Sequence, residues 1–151
     1  MEKEYYFIGH KPGEERNTWI AFMSPEHNKK STVRYESDTH EPTFVEGYPP
    51  RLFNNFSEYV YSYPFYYGLK GTMMYLIMFD QPGSIRFSHS PSGGGTLGKG
   101  FAHAWDFHYL IYNYKVGERY SFKARLVYKP FVSRDDVINE YEKWSGEKVL
   151  F

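Results

Sequence analysis

The sequence contains no cysteine, which excludes a disulfide framework and any thiolate metal site and leaves the redox compartment unreadable. It also lacks an excess of charge: 18 Lys and Arg stand against 18 Asp and Glu, in no long block of one sign. The electrostatic footprint of a general nucleic-acid binder is therefore missing, and nucleic acid is not expected as a partner. Long apolar runs are missing too. The longest, Met73 to Phe79, falls far short of the roughly 20 residues that a membrane-crossing helix needs. The opening MEKEYYFIGH carries no basic-then-apolar signal pattern. No membrane contact is expected, the chain reads as soluble, and its localisation is not legible. His10, His27, His40 and His89 show no ligand spacing such as H-x-H or H-x-x-x-H. No metal site and no cofactor are expected, although an oxygen-ligated calcium site drawn from scattered loops stays open.

What the chain has in abundance is aromatic side chains: 16 Tyr, 13 Phe and 3 Trp make 21% of its 151 residues. Tyr pairs an apolar ring with a polar tip, which suits half-wet sheet faces and surfaces that bind sugars or peptides. At this length one domain is expected, burying roughly 68–70% of its unfolded surface.

Short aromatic and β-branched runs recur between Gly, Pro, Asn and Asp clusters, which predicts strands near Tyr5–Gly9, Thr18–Met23, Ser31–Tyr35, Thr43–Val45, Thr72–Phe79, Ile85–Ser90, Phe101–Tyr112 and Glu118–Tyr128. The fold class is all-β, an antiparallel β-sandwich of jelly-roll type spanning residues 1–151. Met73–Phe79 is apolar at every position and should be covered on both faces. The Pro82-Gly83 pair suits a type II turn joining it to Ile85–Ser90 as a hairpin. In Glu118–Tyr128, period two sets Tyr120, Phe122, Ala124, Leu126 and Tyr128 toward the core and a basic stripe of Arg119, Lys123 and Arg125 away from it. A C-terminal helix should start at the Ser133 cap, bury Val137, Tyr141 and Trp144 on one face, and end at Gly146. A second, short internal helix would fit Arg51–Tyr61. The glycine-rich Ser92–Gly100 reads as a surface loop.

The segment AWDFHYLI carries the sharpest chemical question. As a strand it puts Asp106 and His108 on one face, about 6.6 Å apart at their Cα atoms, with Tyr112 on the same side. The pair could serve as an acid/base or as a reader of sugar hydroxyls, with His108 and Asp106 as general base and Tyr112 as acid. The same spacing also describes two polar groups on a wet strand face. Arg86, sharing a face with Ser88 and Ser90, could grip an anion or could pair with a neighbouring acid such as Asp80. Tyr66 and Tyr67 in the YPFYYG cluster, together with Trp105, are candidate stacking rings, or else ordinary core. His103, on the aromatic face, is either a ligand contact or a satisfied core histidine. No G-x-S-x-G elbow supports a serine hydrolase, and Gly93-Gly94-Gly95 lacks the strand–helix setting of a phosphate loop.

The segments YPFYYG, MFDQPGSIRFSHSPSGGG, AWDFHYLI and YKVGERYSFKARLVYKPFVSRDDVINEYEKW resemble uncharacterised bacterial β-sandwich proteins associated with polysaccharide breakdown. At superfamily level the chain is similar to concanavalin-like and galactose-mutarotase-like sandwiches, without the latter's catalytic histidine and glutamate motifs. The resemblance implies a carbohydrate-binding module with a carbohydrate ligand as its partner. The alternatives are a carbohydrate-active lyase, hydrolase or isomerase on the same scaffold, and an interaction subunit that pairs with another chain or forms a homo-oligomer.

Overall fold

Nine strands and one helix carry the described residues of the computed structural model, which are 4–26, 28–41, 47, 52–93 and 102–151. The strands are β1 (Tyr5–His10), β2 (Thr18–Phe22), β3 (Thr32–Tyr35), β4 (Phe56–Tyr61), β5 (Phe65–Lys70), β6 (Met73–Phe79), β7 (Ile85–Gly93), β8 (Ala102–Tyr109) and β9 (Ala124–Pro130). The helix is α1, Arg134–Ser145. The expected strand Thr43–Val45, His27, Arg51, residues 94–100 of the glycine-rich loop and Phe101 lie outside the described residues.

The all-β class with a C-terminal helix holds, with a finer arrangement than a simple jelly roll. Hydrogen bonds follow one path, β8-β7-β3-β4-β1-β5-β6-β9, with β2 also paired to β1. β3 and β4 run parallel; the other pairs are antiparallel. The sheet curls so that strands far apart on this path face one another across a core. Phe79 of β6 lies 6.0 Å from Phe87 of β7 and 4.8 Å from Phe107 of β8, measured between ring centroids. Tyr5, Phe7, Phe22, Tyr61 and Tyr66 complete this inner cluster. Stacked and tilted ring pairs at such distances are favourable beyond the area they bury.

A second apolar cluster lies on the other face of β1, β5 and β6. Ile8, Phe65, Tyr67, Met74, Leu76 and Met78 pack there against Val137 and Tyr141 of α1. Met73–Phe79 is therefore covered on both faces, as its unbroken apolar run predicts. The helix ends follow the sequence as well. The Ser133 hydroxyl accepts from the Asp136 amide at 3.1 Å, and Gly146 closes the helix at φ 78° with its N–H on the Glu142 carbonyl.

Several expectations need correction. The described part of the expected helix Arg51–Tyr61 is not an α-helix: a single 3-10 turn at Leu52–Asn54 leads into β4, which β3 and β1 hold from either side. YPFYYG is largely strand β5. β6 and β7 are not hairpin partners, because β5 and β9 occupy both edges of β6. Their connection instead crosses from one layer to the other. The turn begins at Pro82, whose carbonyl accepts from the Ile85 amide, and Gly83 does not take the positive φ of a type II turn. The Tyr61 hydroxyl lies 2.7 Å from the Pro82 carbonyl and 2.6 Å from that of Ile85, anchoring this crossover to the core. β9 begins at Ala124 rather than Glu118. Phe122 packs on the inner core as expected, but Ala124, Leu126 and Tyr128 are exposed, because among the described residues nothing in the second layer reaches that side of the last strand on the path.

Candidate functional site

Strand parity holds for AWDFHYLI as far as Tyr109. In the β7–β8 ladder His108 lies opposite Arg86 and Asp106 opposite Ser88, so these side chains share the outer face while Trp105, Phe107 and Tyr109 pack on the inner core. That outer face is occupied. Arg86 is fully buried, and its Nε and Nη2 donate to the two carboxylate oxygens of Asp38 at 2.8 and 3.2 Å. Nη2 and Nη1 also donate to the carbonyls of His40 and Phe53. The acid that pairs with Arg86 is thus Asp38, not Asp80. With its fork filled by protein groups, Arg86 is a structural anchor for Asp38, His40 and Phe53 rather than an anion reader.

Tyr112 reaches the same anchor from a turn beyond the end of β8. Its hydroxyl lies 3.3 Å from Asp38 Oδ2 and its ring stacks on His40 at 3.8 Å. Burial, ahead of the opposing charges of Arg86 and Asp38, pushes its hydroxyl up to about 12. His108 packs beside Phe53 at 5.9 Å between ring centroids. Its Nε2 is buried without a hydrogen-bond partner, and no hydrogen bond joins it to Asp106. Burial holds its pKa below the ordinary imidazole range; Asp106 pulls upward against this and Arg86 adds to the lowering. The expected general base thus sits under the 3-10 turn rather than in a groove, and the expected acid, Tyr112, is committed to Asp38.

The stacking candidates are core residues. Tyr66 and Tyr67 are 1% and 2% exposed, so neither ring is available to a ligand. Trp105 packs edge-on against Tyr5 at 5.3 Å and covers Gly68 so closely that a Cβ there would overlap its ring. His103 accepts at Nδ1 from His89 Nε2 at 3.0 Å, a direction fixed because His89 Nδ1 already accepts from the Ser24 amide at 2.8 Å. This pair is an internal brace. Among the described residues no group of three or more His, Cys, Asp or Glu side chains could hold a metal.

A different set of residues shapes a cleft of about 590 Å³ where the β3 and β4 ends, the β6–β7 crossover and the C-terminal end of α1 meet. Buried Pro64, Phe79 and Tyr141 underlie it, and the partly exposed rings of Tyr35, Tyr63 and Trp144 border it. Exposed Glu36, Asp80, Glu147 and Lys123 supply charge at its rim. The C-terminal tail is strapped across one side, the Leu150 amide donating to the Tyr63 hydroxyl at 2.8 Å. This fixes the Tyr63 ring. Tyr141 contacts Glu147 through its hydroxyl at 3.0 Å, and burial followed by that carboxylate raises its pKa. The pKa of Tyr35 is raised by burial first and then by Glu36 and Glu147.

Ser62 lies at the centre of a polar knot on the cleft wall. Its hydroxyl is 2.6 Å from Asn17 Oδ1, 2.8 Å from Glu36 Oε2 and 3.3 Å from His10 Nδ1. His10 Nδ1 is in turn 3.1 Å from Asn17 Oδ1 and 3.8 Å from Glu36 Oε2. A nucleophile relay needs serine on one ring nitrogen and the carboxylate on the other. Here every one of these contacts falls on Nδ1, so the knot positions Glu36 and Asn17 and does not activate Ser62. Of the cleft residues, Tyr63 and Trp144 stand out in the sequence, but as members of an aromatic cluster and a helix face. Asn17, Glu36, Ser62, Asp80 and Glu147 come from separate loops and strand ends, with no shared spacing to connect them. Comparisons of the chain with family models, curated proteins and solved structures return no match.

Proposed function

We propose that this chain is a carbohydrate-binding module whose ligand lies in the cleft between β3, β4 and the end of α1. The observation that carries the reading is the pairing of half-exposed Tyr35, Tyr63 and Trp144 rings with the carboxylates of Glu36, Asp80 and Glu147 and the amide of Asn17 around about 590 Å³. Sugar rings present apolar C–H faces that stack on aromatic planes, while their hydroxyls need charged or amide groups placed around them. The volume falls in the usual range for small-ligand sites, roughly 300–1,000 Å³. The sequence resemblance to carbohydrate-associated sandwiches points to the same ligand class.

Binding without turnover is favoured because the polar knot lacks a proton relay, because Tyr112 is held on the Arg86–Asp38 ion pair, and because His108 packs beside Phe53 with no hydrogen bond to Asp106. A glycan-array screen, followed by reducing-sugar and unsaturated-product assays on each hit, tests the proposal. The expected result is retention of at least one glycan with no product formed. Release of product would make the chain an enzyme, and silence across the array would remove the carbohydrate reading.

A further inference from the structure

Among the described residues, the far edge of β9 is an open strand edge of defined polarity. β9 ends the hydrogen-bonded path, pairing with β6 on one side and with no described strand on the other. Bonds at its two ends fix which main-chain groups point where: the Asp80 amide donates to the Lys123 carbonyl at 3.0 Å, and the Phe131 amide to the Thr72 carbonyl at 2.8 Å. Because antiparallel positions alternate, Arg125, Val127 and Lys129 turn their main-chain groups to β6. Ala124, Leu126 and Tyr128 turn theirs outward.

The side chains flanking that edge are apolar and uncovered, Leu126 at 58% and Tyr128 at 61% exposure. Soluble proteins commonly guard such edges with free charge, proline or a bulge. Here Pro130 stands only at the end of the strand, and Lys129 is not a free charge. Its ammonium lies 2.9 Å from Asp136 Oδ2 and 2.5 Å from Glu140 Oε1. One cation against two carboxylates leaves this cluster net negative, on the same face of the strand as the exposed Arg125.

We infer that two copies of this chain join β9 to β9, antiparallel, about a twofold axis through Val127. In this register the outward groups of Leu126 exchange hydrogen bonds with those of Tyr128 of the second copy, and the Ala124 amide donates to the Pro130 carbonyl. Leu126 and Tyr128 cover one another on one face. On the other, Arg125 of each copy falls beside the Lys129–Asp136–Glu140 cluster of the second, so the like-sign pairing of Arg125 with Lys129 becomes attractive. A twofold axis through Leu126 would set Arg125 opposite Val127 and lose that complementarity. A strand edge buries less than the about 1,200 Å² of a stable complex, so the dimer is weak and concentration-dependent.

Analytical ultracentrifugation of the full chain over a dilution series tests this. The wild type should approach twice the chain mass as concentration rises. Leu126→Pro removes an outward N–H without touching the β6 ladder, a placement that edge strands accept, and should stay monomeric. Arg125→Glu, an exposed change that sets a further carboxylate beside Asp136 and Glu140, should do the same and stands as the test if the proline variant unfolds. A wild type that is monomeric throughout, or an Arg125→Glu protein that dimerises like the wild type, would overturn the inference.

Discussion

Arg86 shows how one buried residue can decide between a site and a support. Its guanidinium is enclosed by Asp38 and two carbonyls, and removing the acid leaves that cation buried without its counter-charge. Asp38→Ala should therefore cost about 3–5 kcal/mol of stability, read as a fall in the urea midpoint. A loss of a few tenths would mean that the pair is far more hydrated than its burial implies. His108, across the ladder from Arg86, supplies the matching pH test. Its folded pKa is depressed by burial, so below about pH 6.5 the unfolded chain takes up a proton that the folded chain does not. Stability present above that pH is lost as pH falls. His108→Gln should flatten the wild-type decline in urea midpoint between pH 7 and 5, measured as a difference between the two proteins. An unchanged pH profile would show that His108 titrates freely in the fold.

At the scale of elements, legibility followed the number of neighbours that each segment answers to. α1 is specified locally by Ser133, the spacing of Val137, Tyr141 and Trp144, and Gly146, and these appear in the structure where the sequence puts them. β6 was legible because an apolar residue at every position admits only a strand covered on both sides. β9 was not. Its alternation is real, but the position at the end of the path leaves Leu126 and Tyr128 exposed, while Val127 packs under the helix side. Period two gives two faces and does not say which is buried. β4 was misread because Leu52, Phe56, Tyr59 and Val60 mimic helical spacing, and only its pairing with both β3 and β1 decides the matter. β5 carries a prediction of its own. Gly68 lies beneath the Trp105 ring, so the approach of β8 over β5 depends on the missing Cβ. Gly68→Ala should displace Trp105 and lower stability by roughly 1–3 kcal/mol, with a changed near-ultraviolet dichroism. A variant as stable as the wild type, with that spectrum intact, would show that the layers have slack there.

For the whole molecule, the curl of the sheet determines where a ligand can lie. Rolling β7 and β8 over β5 and β6 consumes Tyr66 and most of Trp105 as core, while the cluster beneath α1 takes in Tyr67 on the other face and His108 is packed beside Phe53. The same curl, together with α1 on the outer face, opens a cleft at one end of the molecule lined by residues far apart in sequence. Its ring and carboxylate set could not be read from spacing, because chain folding alone assembles Asn17, Glu36, Ser62, Asp80 and Glu147. The proposed dimer edge at β9 is a separate surface built on main-chain polarity, and its fate does not bear on what the cleft binds.

Of the three tryptophans, Trp19, Trp105 and Trp144, only Trp144 borders the cleft, which makes intrinsic fluorescence the most direct measurement. Titrating a glycan retained on the array should shift the emission of the wild type and of Trp105→Phe. It should leave Trp144→Phe silent, with affinity for the glycan reduced by up to roughly tenfold through loss of ring stacking. A titration response that survives in Trp144→Phe and disappears in Trp105→Phe would put the ligand on the β7–β8 side and contradict the cleft assignment.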